Sequence, residues 1–331
     1  MNALVLGGTT FLGRHLVRCL LERGHAAATF TRGRMPFDDL AGVQRLVGDR
    51  DGDLGAIPRD GWDAVIDTSG YVPAIVAASC AHLLRAGRYC FTSSISVYDA
   101  TSETMGDTVA PYVPRDPAFP DDDPRNYGPS KRRAEDVVRA VFDDRALIVR
   151  PGLLVGPYDP TNRFTYWVDR FADGGDIAVP GPPERFVQFI DARDAAEFMV
   201  RALETGRSGI FDLTGEPRAT TMGDVVAAAH RALGAPTTPV WIDDAFLEEN
   251  GLQGWMDLPL WIAASNGVPG FMNTTIDRAR DAGLTFRSLG DTIAETHAWS
   301  TTQRRAEPSS KVAGITRDRE RELLEGWRAA R

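Results

Sequence analysis

The stretch ALVLGGTTFLGRHLVRCLLERG, residues 3–24, restricts the fold more than any other part of the chain. Residues 3–6 are uniformly apolar, as in a strand covered on both faces. Positions 12, 16, 17, 20 and 21 then carry apolar side chains at a helical period, and Gly24 supplies a stop signal. Gly7 and Gly13 lie at the turn between them. Strand, glycine turn and helix in that order open a βαβ unit.

The alternation continues. Apolar strands are predicted at 26–31, 43–49, 62–70, 88–98 and 145–157, with helices at 73–87 and 130–142 and a loop at 32–42. Strands apolar on both faces, separated by amphipathic helices, form a parallel sheet with helices on each side. Beyond residue 160 the pattern is mixed. Helices are predicted at 164–175, 191–206, 221–234, 288–303 and 316–327, and strands at 209–215 and 239–243. Thr221 with Asp224 three residues on marks a helix start. The fold class is therefore α/β: a Rossmann-type doubly wound parallel sheet with a smaller, mixed C-terminal part. PDDDP (120–124) reads as a solvated loop, and the tryptophan-rich stretch 241–262 as core, lid or dimer surface.

Charge and composition exclude several classes. The net charge of −9 disfavours non-specific binding to nucleic acid or anionic membranes. Three cysteines without a CxxC, and five histidines without a ligand-like pair, predict neither disulfide framework nor metal site. No apolar run reaches the roughly 18 residues of a membrane span, and the opening MNALVLGG leaves no room for a signal peptide. A cytoplasmic protein is expected, with no membrane and no nucleic-acid partner.

A glycine turn of this kind lets a pyrophosphate approach the backbone at a helix N-terminus. The spacing asks for glycine at 7, 10 and 13, but position 10 is Thr10. Its hydroxyl can donate to a phosphate. The candidate cofactor residues in the turn are Gly7, Thr9, Thr10, Phe11, Leu12 and Gly13. After the second strand, where NAD-preferring turns place an acidic residue, stand Arg32 and Arg34. Arginine suits a 2′-phosphate, which favours NADP(H), with NAD(H) as the alternative; Asp38 and Asp39 are close enough to compete. Asp49 and Arg50 are placed for the adenine end, and Thr68, Ser69 and Gly70 for the cofactor's centre. The chemistry is expected in NYGPSK. Tyr127 and Lys131 share one helix face, and a nearby ammonium favours the phenolate. Ser94, with Ser93 as competitor, ends a strand where it can hydrogen-bond an oxygen that changes charge.

The glycine turn, SSISVY (93–98), YGPSK (127–131) and RPGLLVGP (150–157) follow the order found in extended short-chain dehydrogenase/reductases, the NAD-dependent epimerase/dehydratase family. QFIDARDAAEFM (188–199) is similar to that family's later motif. The resemblance covers roughly residues 1–300. The altered turn resembles an atypical branch related to chloroplast stem-loop-binding proteins. The resemblance implies Ser94, Tyr127 and Lys131 as the catalytic set, and Pro151, Gly152 and Leu153 beside the nicotinamide. It implies an NAD(P)-binding domain over 1–160 with about 186–215, and a mainly substrate-binding and lid region over 161–331. Dehydratases of the family carry an acidic pair after the strand-five Ser/Thr. Here Ile95 and Ser96 stand there, so a reductase or an epimerase is expected, acting on a small, sugar-like substrate. NADP(H) preference favours the reductase. Arg163 and Arg185 are the candidates for an anionic substrate group; local carboxylates are the alternative partners. Non-catalytic RNA binding and cofactor sensing are the competing functions, and a homodimer is a family-level expectation.

Overall fold

Alternate residues of the first strand, β1 (Asn2–Leu6), enter different cores. Ala3 and Val5 pack on one side of the sheet, Leu4 and Leu6 on the other, all fully buried. Alternation of side chains across a strand makes this unavoidable once both faces are covered. The computed structural model describes residues 1–35, 40–107, 109–302 and 312–331. Asp38, Asp39 and the predicted helix end at Gln303 lie outside the described residues.

After β1 come α1 (Phe11–Glu22), β2 (Ala26–Thr31), β3 (Gln44–Val47), β4 (Ala64–Asp67), α2 (Pro73–His82), β5 (Arg88–Thr92), α3 (Tyr127–Phe142) and β6 (Ala146–Pro151). Next are β7 (Leu153–Val155), α4 (Thr165–Ala172), β8 (Gly175–Pro180), β9 (Phe189–Asp191), α5 (Ala192–Glu204) and β10 (Gly209–Leu213). The chain ends with α6 (Met222–Leu233), β11 (Thr237–Ile242), α7 (Asp244–Glu249), α8 (Asp277–Asp281), α9 (Leu289–Thr302) and α10 (Arg317–Ala329).

Seven strands form one sheet in the order β10-β6-β5-β4-β1-β2-β3, with every pairing parallel. Helices α1 and α5 cover one face, and α2 and α3 the other. The order reverses between β1 and β4, so a crevice opens at their C-terminal ends, where doubly wound sheets bind ligands. Pro73 occupies the first turn of α2, where a missing N–H costs nothing. Thr221 and Asp224 form the predicted capping box of α6.

A further core gathers α4, α6, α9, α10, β8 and β11 around the fully buried Trp167 and Trp261. Here β8 pairs in parallel with β11, and β7 with β9. The sequence pattern predicts one helix over 164–175, but Gly174 and Gly175 both have positive φ, ending α4 and turning the chain into β8. The strand predicted to reach Tyr98 stops at Thr92, because the Ser94 hydroxyl accepts the Ser96 amide at 3.1 Å and bends the backbone. The predicted tryptophan-rich stretch divides: Trp261 is core, whereas Trp255 lines a cavity.

Candidate active site

Two cavities meet at the C-terminal edge of the sheet. The first, of about 1080 Å³, is lined by Ser93, Ser94, Tyr127, Lys131, Pro151, Gly152 and Leu153 among others. The second, of about 570 Å³, is lined by Gly7, Thr9, Arg32, Arg34, Asp49, Arg50 and Ser69. Thr10, Thr68 and Tyr71 line both, so the two make one continuous crevice. Phe11, Leu12 and Gly13 lie on the wall of the first. Gly70 supplies a carbonyl to Lys131.

The glycine turn leaves no room for side chains at the positions that keep glycine. A Cβ on Gly7 would lie 2.6 Å from the Thr68 hydroxyl, and one on Gly13 would lie 2.9 Å from the Gly7 carbonyl. Gly7 also has φ +103, a conformation that suits glycine. Thr10 is different. It precedes α1 with φ −127° and ψ 151°, ordinary extended backbone, and its side chain is exposed. Nothing in the backbone at position 10 requires glycine, so the substitution leaves the turn intact. A close backbone cradle at a helix N-terminus fits a dinucleotide's pyrophosphate.

Below the second cavity Arg50 grips Asp67 at 2.6 and 2.8 Å and also donates to Ser69 and Ser79 at 3.0 Å each. Burial by itself would raise the Asp67 carboxyl, but the Arg50 charge holds it below the ordinary carboxylate range. Arg50 is thus fastened to the protein rather than extended toward solvent. Arg32, Arg34 and Asp49 are exposed on the cavity's rim.

In the first cavity, Lys131 is buried and donates to the carbonyls of Gly70 at 2.6 Å and Thr92 at 2.8 Å. Its ammonium lies 4.6 Å from the Tyr71 ring centre and 6.0 Å from that of Tyr127. Burial lowers Lys131 to about 8, and Asp67 resists the shift. Tyr127 moves the opposite way to the expectation. Burial raises it to about 12; the neighbouring Tyr71 adds to this, and the Ser94 hydrogen bond and Arg163 charge oppose it. Lys131, with two protons of its ammonium committed to backbone carbonyls, does not offset this rise, although the Tyr127 residue as a whole is 37% exposed. The Ser94 hydroxyl donates to the Ser96 hydroxyl at 3.0 Å, so a second serine joins the set. The Ser93 hydroxyl is buried without a partner.

The two arginines predicted for substrate separate. Arg163 lines the first cavity, its guanidinium 4.9 Å from the Trp255 ring centre. Arg185 lies outside that cavity. Its guanidinium donates to the carbonyls of Gly181 and Ile262 and pairs with Asp244 at 2.5 Å, which leaves it little to offer a ligand. The acidic loop predicted to be solvated is exposed or half-buried over 120–124, and its Asp121, Asp122 and Asp123 border the first cavity. Asn126 holds that loop through the Asp116 amide and the carbonyls of Asp116 and Phe119. Tyr71, Ser96 and Asp159 also line the cavity and carry no sequence signal of their own. Among the described residues no cluster of His, Cys, Asp and Glu is arranged to hold a metal ion.

Residues 3–213 match the model of the NAD dependent epimerase/dehydratase family. The chain is 28% identical over 253 residues to the chloroplast stem-loop binding protein of 41 kDa b of Arabidopsis thaliana. That alignment covers 70% of this chain and 63% of that protein, so the chain spans under two thirds of that relative's length. It is 30% identical to 2-alkyl-3-oxoalkanoate reductase of Stenotrophomonas maltophilia, covering 71% of this chain and 77% of that one. The fold is similar to that of UDP-glucuronic acid 4-epimerase from Bacillus cereus in complex with NAD: TM-score 0.66, 14% identity, 94% of this chain and 100% of that one. With a family match extending over most of the sheet and its crevice, the chain belongs to the NAD-dependent epimerase/dehydratase family.

Proposed function

We propose that this protein is an NAD(P)-dependent reductase acting on the carbonyl of a small substrate. The observation that carries this reading is the placement of Ser94, Tyr127 and Lys131 on one cavity continuous with the glycine-turn cavity. Residues 1–160, with about 186–215, hold the cofactor, and 161–331 supply most of the substrate side. Gly7, Gly13 and the start of α1 would receive the pyrophosphate, and Pro151–Leu153 would flank the nicotinamide. When bound, the nicotinamide supplies the hydride. Tyr127 gives its phenolic proton to the substrate oxygen as that oxygen gains charge. A phenol held near 12 keeps its proton at neutral pH, which suits an acid in the reducing direction. Ser94 turns its one hydroxyl proton from Ser96 to the same oxygen, while the Ser96 amide, and the Ser96 hydroxyl rotated to donate, hold the Ser94 oxygen in place. The Lys131 charge, 6.0 Å from the Tyr127 ring, favours the phenolate that this transfer leaves, solvent at the exposed tyrosine returns the proton, and Lys131 would orient the ribose end of the cofactor.

Arg32 and Arg34, on the rim of the second cavity, support a preference for NADP(H). The likeness to a 2-alkyl-3-oxoalkanoate reductase supports reduction over epimerisation. The likeness to a stem-loop binding protein favours a second reading, RNA binding. The net charge of −9 opposes it, and RNA affinity would have to fall steeply with salt. The test is Tyr127→Phe. Loss of the proton donor should lower turnover by about a hundredfold or more while nicotinamide binding, followed by fluorescence, stays as in the wild type. Unchanged turnover would remove Tyr127 from the chemistry.

A further inference from the structure

The loop after β7 carries two side chains into the first cavity with polar atoms left over. Asp159 is 4% exposed, and its Oδ2 is buried without a hydrogen-bond partner. Its Oδ1 accepts the amide and hydroxyl of Thr161 at 2.8 and 2.7 Å. Arg163 lies four residues on, half-buried against Trp255, and its Nε is also buried without a partner. The two do not form an ion pair among the described contacts. Burial disfavours both charges, and each is partly relieved by the other's field. A buried donor and a buried acceptor left unpaired on one cavity wall carry a desolvation cost, which a ligand drawn against these side chains with matching groups would remove.

The loop is also fixed from both sides. His15 of α1 donates from Nε2 to the Pro157 carbonyl at 2.9 Å. The Ala313 amide donates to the Thr161 carbonyl at 3.0 Å, and the Asn162 amide side chain donates to the Ala313 carbonyl at 2.7 Å. Side chains on such a braced segment are preorganised, which is what selective recognition needs.

We propose that Asp159 and Arg163 form a two-point substrate clamp, and that the substrate carries a hydroxyl beside an anionic oxygen. Asp159 accepts from the hydroxyl and Arg163 donates to the anion. A hydroxy acid and the phosphate ester of a polyol share this chemistry. The clamp rests on the oxidoreductase reading for the identity of the reacting group, but its binding can be measured without turnover.

The test is calorimetric titration of the chain with glycerate, glycerol 3-phosphate, propionate and glycerol, with NADPH fluorescence read on the same samples. Glycerate or glycerol 3-phosphate should bind at least about tenfold more tightly than propionate or glycerol. Glycerate alone assigns a carboxylate to Arg163, and glycerol 3-phosphate alone assigns a phosphate. Arg163→Gln should weaken the anionic probe by about tenfold or more. Asp159→Asn should remove the preference for glycerate over propionate. The wild-type preference decides the question even where the Asp159 variant fails to fold. Equal binding of propionate and the hydroxylated anions, absence of binding by all four probes, or folded variants that bind as the wild type would each overturn the clamp. Protein that binds NADPH but none of the probes loses the clamp alone. Protein that shows the probe preference but binds no nicotinamide keeps the clamp and loses the reductase.

Discussion

Lys131 is the residue at which the proposed function works against stability. Its ammonium is buried and satisfied by only two carbonyls. An unfolded lysine holds its proton to about 10.4, whereas the folded one releases it near 8. Between those values the unfolded chain binds the extra proton, so this group makes stability rise with pH there. Below 8 the full penalty stands, roughly 3 kcal/mol. Lys131→Met should remove that slope. Urea unfolding of both proteins should show the wild type gaining more than about 1 kcal/mol relative to the variant between pH 8 and 10. A constant difference across that range would mean that Lys131 titrates as a solvated lysine. Tyr127 and Lys131 were legible in the sequence because spacing on a helix fixes which side chains neighbour one another. Asp159 and Tyr71 were not. A single acid or phenol in a loop has no period, and only the tertiary fold brings either to the cavity.

At the scale of elements, α3 carries the proposed reactive pair, Tyr127 and Lys131, and is held in register with the sheet. One turn beyond Lys131, Glu135 receives Arg150 of β6 at 2.7 and 2.6 Å, and both side chains are completely buried. Arg150 also reaches Tyr98 and Asp107, at 2.5 and 2.9 Å. Tyr98 in turn donates to Asp212 of β10 at 2.8 Å. The pair thus ties the helix to two strands and to the segment after β5. Removing Glu135 leaves the buried Arg150 charge only partly compensated, by Asp107, so Glu135→Ala should cost about 3 kcal/mol, the low end for a broken buried pair, read as a lower midpoint in thermal or urea unfolding. A loss below about 1 kcal/mol would show that the cluster relaxes or admits water. The sequence pattern made the inner strands of the main sheet legible, because parallel strands covered on both faces are apolar; the edge strand β3, QRLV, is mostly exposed and carries a weaker signal. The three-residue strands β7 and β9 are too short to show any period, and β8 opens at the second of two glycines, which disguise its start.

For the whole molecule, the glycine turn, the strand end at Ser93 and Ser94, and Gln188 of the later motif all line one crevice at the reversal of strand order. That convergence was legible from sequence, because a doubly wound sheet sends the C-terminal ends of its strands to the same edge. The partition of the two arginines was not. Arg163 and Arg185 look alike in sequence, yet one faces the cavity and the other is consumed by Gly181, Ile262 and Asp244. Thr10 leaves the dinucleotide cradle open, so the purified protein, titrated with NADPH and NADH and followed by nicotinamide fluorescence, should bind at micromolar concentration with NADPH preferred. Tightly held NAD would move the assignment toward an epimerase. Failure of either nucleotide to bind would contradict the open cradle and the proposed chemistry together.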